Sequence, residues 1–204
     1  MKILRLTCCL FVLLLSLVAF AFSTSTHAAT SGSTTVFRFH GLSAFADFDS
    51  FSPDGCIETF VEVDGTQSGT SPTADVFIGQ FNNCTGTLLL SAFGSTLNPT
   101  FQVSNKLDSA SLSATISVTD FVSGSTFNVA VSVAWTSTSA IGHEIQTFHF
   151  HTKGFTENGH FNADFRDANA SGTVSDETTN FTPSPSVFAQ TMSAKEVDVF
   201  ISHP

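Results

Sequence analysis

Tyrosine is absent from this 204-residue chain and tryptophan occurs once, so its aromatic packing must come from 23 phenylalanines. A sugar-stacking platform needs flat rings with a polar handle, and the single Trp135 belongs to an alternating apolar run instead. Positive charge is scarce as well: Lys and Arg total 7 against 17 Asp and Glu. Such a balance repels phosphate backbones and anionic lipid, which argues against nucleic-acid binding and against attachment to a membrane surface. There is no Gly-x-Ser-x-Gly elbow, no CxxC pair and no stretch of useful length with helical periodicity. Internal repeats with a period of tens of residues are missing too.

What the chain does have begins with an N-terminal segment built like a secretory signal. Lys2 and Arg5 precede an apolar run from Leu10 to Phe22, and Thr26-His27-Ala28 places small residues where a signal peptidase cuts. We expect residues 1–28 to be a signal peptide and residues 29–204 a single domain, secreted or displayed at the cell surface, with no membrane attachment after cleavage. An uncleaved membrane anchor is the alternative, since the run approaches the length needed to cross a bilayer. Removal of Lys2 and Arg5 takes the net charge from −10 to −12. Cys8 and Cys9 would leave with the signal, and the remaining pair, Cys56 and Cys84, is expected to form a disulfide in an oxidising compartment.

The stretch from Ser109 to Ser137 is the clearest structural signal. Leu112, Ile116 and Val118 alternate with Ser and Thr on one arm. Val129, Val131, Val133 and Trp135 alternate with Asn, Ala, Ser and Thr on the other, and Gly124 lies between. A period of two gives each arm one apolar and one wet face, so the segment is a hairpin that needs a second layer to bury it. Comparable runs recur along the chain, bounded by turn residues such as Pro53-Asp54-Gly55 and Asn82-Asn83. The pattern predicts an all-β fold of about eleven to thirteen strands. We expect an antiparallel β-sandwich, with a β-barrel as the alternative.

The residues with most chemical potential are histidines. His149 and His151 lie two apart in an extended run, which sends both rings to one face, and Glu157 and His160 follow shortly after. The order Gly142, His149-x-His151, Glu157 resembles the first cupin motif, but its spacings are longer and a second motif is missing, so no family is assigned. These four residues are the candidate ligands for a divalent metal such as Zn²⁺. Asp47, Asp49 and Asp54 offer hard oxygens that would suit Ca²⁺ instead. The competing reading sets Phe148 and Phe150 toward the core and leaves both histidines on a solvated face. Taken together, the sequence leads us to expect a non-catalytic structural, adhesive or ligand-binding module without a cofactor, acting on an unidentified ligand or surface partner. The alternative is a metal-binding or metal-dependent protein using the His149/His151 region.

Overall fold

The computed structural model describes residues 34–152 and 155–202, so the expected signal segment and its cleavage site lie outside the described residues. The strands run β1 (Thr34–Phe51), β2 (Ile57–Ser68), β3 (Ser71–Asn82), β4 (Thr87–Leu97), β5 (Thr100–Val103), β6 (Ser109–Asp120), β7 (Thr126–Ser137), β8 (Gly142–Thr152), β9 (Phe155–Ser175) and β10 (Phe188–Ser202). All pairings are antiparallel. The fold is all-β, as the alternation requires. The 10 strands are fewer than the alternation and its breaks suggest. Gly41 and Lys195 look like strand ends in the sequence, but the chain passes both as register shifts within β1 and β10. A bulge absorbs one residue and bends the strand without ending it.

The pairings form a ring. β1 pairs with β2, then β3, β4, β6, β7, β9 and β10 follow in turn, and β10 pairs again with β1. The ten-stranded sheet therefore closes on itself, which is the barrel arrangement, with β5 alongside β6 and β8 on the outer flank of β9. Its weakest seam is between β4 and β6, where only Ala92↔Asp120 and Phe93↔Thr119 pair. Asp120 reinforces that seam. Its Oδ1 accepts hydrogen bonds from the amides of Ser91 on β4 and Val122 in the turn, and Oδ2 accepts from the amide and hydroxyl of Ser123. These donors lower its pKa to about 2. Gly94 lies at the same crossing, and a Cβ there would meet the Ser117 carbonyl oxygen at 2.2 Å. No other residue fits without moving a backbone.

One face of each strand fills the barrel. Val61, Val63, Val76 and Ile78 from one wall meet Leu112, Ile116, Val129, Val131 and Val133 from the other, all essentially buried. Trp135 is 1 % exposed, and its indole N–H donates to the Phe45 carbonyl at 2.8 Å, so the single tryptophan crosses the core to satisfy its polar atom. The Cys56–Cys84 disulfide is present, joining the β1–β2 turn to the β3–β4 turn at one end of the barrel. Closing that loop stabilises the fold by roughly 3 to 4 kcal/mol in the chain-entropy description.

Beyond the ring, the first part of β1, the last part of β10, the first part of β9 and the whole of β8 continue as an arm. Arm and barrel share β9, whose residues 168–175 pair with β7 while residues 155–165 pair with β8. The arm has its own small apolar cluster around Ala163, Met192, Ala194 and Val197, with Phe39, Phe161 and Phe165 packed on it.

Candidate functional site

Three surfaces distinguish this molecule, and strand alternation builds each of them. The first is the outward side of β5, β6, β7 and the second half of β9. Registered rows cross it as Thr100–Ser113–Ser132–Thr173 and Gln102–Ser111–Ala134–Ser171, continuing through Thr115–Ala130 and Ser117–Asn128. Every one of these side chains is exposed, and none is charged or bulky. The inward neighbours are core valines, isoleucine and leucine, so a packed layer holds the hydroxyls in a regular grid on the barrel wall. Adjacent strands lie about 4.8 Å apart and successive outward residues about 7 Å apart.

The second surface is one side of the arm, and it gathers the histidines. His143, His149 and His151 alternate along β8, and His160 on β9 lies opposite Thr147, diagonal to His149. His40 lies beside the bulge, its Nδ1 2.6 Å from the Lys195 carbonyl oxygen. The Nδ1 of His143 is 2.7 Å from Asp164 Oδ1, that of His151 is 2.8 Å from Thr156 Oγ1, and that of His149 meets Asn158 Oδ1. Lys195 and Arg38 are at the same face, paired with Asp164 and Asp198. His149 and His151 are thus exposed on one side of one strand, as their spacing implies. Glu157 lies on the other side of β9, opposite Phe150 and next to buried Gly159, so the sheet itself separates it from the three histidines. Among the described residues, no three His, Cys, Asp or Glu side chains converge as a metal site in this arrangement.

The reverse side of the arm explains the Phe-x-Phe spacing. The Phe148 ring lies over Gly159, its registered partner, and the Phe165 ring lies over Gly142, the partner across β8. A Cβ on either glycine would clash with the ring. Phe150, beyond them, is 53 % exposed.

The third surface is the outward side of β1, β2 and β3, where carboxylates and phenylalanines share a checkerboard. Phe45, Asp64 and Asp75 form one row and Phe188, Asp47, Glu62 and Phe77 the next; Asp49 pairs with Phe60. None of these side chains is fully exposed. Burial, with Glu62 nearby, raises the pKa of Asp47 to about 7 and that of Asp64 to about 7. Burial, with Asp64 nearby, raises Asp75 to about 8. Burial also raises Glu62, and Asp49 is raised by burial with Glu58 adding to it. One oxygen each of Asp47, Asp49 and Asp75 is buried without a hydrogen-bond partner. Asp54 does not join them: it lies in the β1–β2 turn, where it accepts from the Ser52 hydroxyl and the Cys56 amide. Asp47 and Asp49 are thus separated from Asp54, although all three fall close together in sequence. Asp64 and Asp75 escaped the sequence reading, because they are brought together only by the β2–β3 register.

No family model matches this chain, and comparison with curated proteins and with solved structures finds no match. Its reading therefore rests on the surfaces themselves.

Proposed function

We propose that this chain is an exported, non-catalytic adhesion module that lays the hydroxyl grid of β5, β6, β7 and β9 against an extended, uncharged, hydroxyl-rich surface, a neutral polysaccharide. The observation that carries this reading is the grid: an exposed sheet face with no charged side chain, in a protein whose formal net charge is −10. Exposed sheet faces ordinarily carry charge to keep other surfaces away. Its area is suitable. The 12 residues of β6 span about 40 Å, and with β7 and the shorter stretches of β5 and β9 the grid covers roughly 570 Å², near the low end of the share one partner contributes to a stable interface. Single hydroxyl hydrogen bonds contribute only about 1 kcal/mol net, so affinity has to come from many contacts at once. That favours an insoluble polymer over a single sugar, and it removes the need for Tyr or Trp platforms.

Cosedimentation with insoluble neutral polymers such as cellulose and chitin tests the reading. The wild-type chain is expected in the pellet, and Ser132→Glu combined with Thr115→Glu is expected to move it to the supernatant with thermal stability little changed. Failure to pellet with any neutral polymer, or equal pelleting of the charged variant, would sink the idea.

A further inference from the structure

We propose that the histidine face of the arm binds a late divalent transition metal such as Zn²⁺, with His149 and His151 as the first ligands and His160 as the third. His149 and His151 occupy alternate positions of β8, so their imidazoles leave the same face about 7 Å apart at the backbone. His160 is the diagonal neighbour of His149 across the β8–β9 pair and lies on the same face of the sheet.

Ring orientation is the second part of the argument. A metal-binding imidazole is usually fixed by an oxygen that accepts its other N–H, which leaves the free nitrogen with its lone pair outward. Here an oxygen lies at the Nδ1 of each ring. Asn158 Oδ1 is at His149, Thr156 Oγ1 at His151 and Thr147 Oγ1 at His160. An Asn carbonyl oxygen can only accept, so in the neutral ring of His149 it favours the tautomer that carries the proton on Nδ1 and leaves Nε2 for a metal. The rings of His149 and His151 are exposed and free to turn toward one ion, and His160, whose Nε2 faces Glu196 on β10, joins them by turning its ring toward β8.

Charge places the site at this end of the face. The Lys195 ammonium lies at the other end, 3.1 Å from Asp164 and on the backbone segment that holds His40, where it repels a cation. Near His160, the Arg38 guanidinium is paired with Asp198, and Glu196 Oε2 lies 3.7 Å from Nε2 and supplies compensating negative charge. Nitrogen donors select the metal: imidazole suits Zn²⁺, Cu²⁺ and Ni²⁺, whereas Ca²⁺ and Mg²⁺ prefer oxygen.

Equilibrium dialysis of the untagged full chain against Zn²⁺, with excess Ca²⁺ present, tests the site. We expect saturable binding of one Zn²⁺ that Ca²⁺ does not displace. His149→Gln with His151→Gln should weaken it at least about tenfold, and Asn158→Ala should weaken it in the same direction. Circular dichroism and thermal melting in chelator should be the same for all variants, because the altered side chains are exposed. Absence of saturable binding overturns the proposal. So does binding that survives the double substitution, or that is lost only when His40 and His143 are replaced.

Discussion

Replacing Asp75 by Asn should stabilise this protein, and the gain should grow with pH. Asp75 is 6 % exposed, one of its oxygens has no hydrogen-bond partner, and Asp64 stands opposite it across the β2–β3 pair. Burial and that neighbour raise its pKa from 3.8 to about 8. The folded form therefore holds a proton that the unfolded chain releases. With a folded pKa above the unfolded one, the stability conferred by this proton is fully present below pH 3.8 and is lost as pH rises through about 8. Each pKa unit corresponds to about 1.4 kcal/mol, so a rise of this size sets a ceiling of about 6 kcal/mol on the loss. Local relaxation and the coupled titration of Asp64 reduce that, and we expect about 3 kcal/mol. Asn has the same shape and stays neutral. Denaturant titrations of both proteins should coincide near pH 3.5, separate steadily through the neutral range, and reach their full difference above pH 8. Parallel stability curves for the two proteins, or a variant that is the weaker at high pH, would refute the account of this face.

Other outcomes follow from the core and the staple. Val131→Asp, at a position 2 % exposed, forces an unpaired carboxylate among core side chains and should cost several kcal/mol, about 3 or more, while Ser132→Asp on the exposed grid should stay within about 0.5 kcal/mol. Equal losses in thermal melting would mean that inward and outward faces of β7 are assigned the wrong way round. Replacing Cys56 and Cys84 by Ser should lower stability by about 2 to 4 kcal/mol, measured as a lower denaturant midpoint, and unchanged midpoints would show that the staple constrains nothing.

The strands and their inward faces were legible because they depend on nearest-neighbour alternation. The Ser109–Ser137 hairpin, its turn and its buried valines appear where the pattern puts them. The pairing of Cys56 with Cys84 was legible by elimination. Closure of the sheet was not, because ring formation depends on which distant strands meet, and the β4–β6 seam has only two registered pairs to announce it. The histidines show the same boundary. A spacing of two puts His149 and His151 on one side, but nothing local tells that His40 and His160 join that side or that Glu157 departs from it. The acidic checkerboard was half visible: Phe45, Asp47, Asp49 and Phe51 alternate within β1, yet their partners come from β2 and β3. Cross-strand register is a long-range property that single-strand patterns do not encode.

The arm also determines how the molecule bears load. Thr34 at the start of β1 pairs with Ser202 near the end of β10, so both strands emerge side by side at the arm's tip, and β1 runs on into the barrel between β10 and β2. A pull on β1 from the tip, with the opposite wall held fixed, would be directed along the strand. It must shear a whole row of backbone hydrogen bonds together instead of opening them one at a time. Carrying β1 and β10 unbroken through bulges, beside a continuous β9, gives tension an uninterrupted route from the tip into the barrel wall.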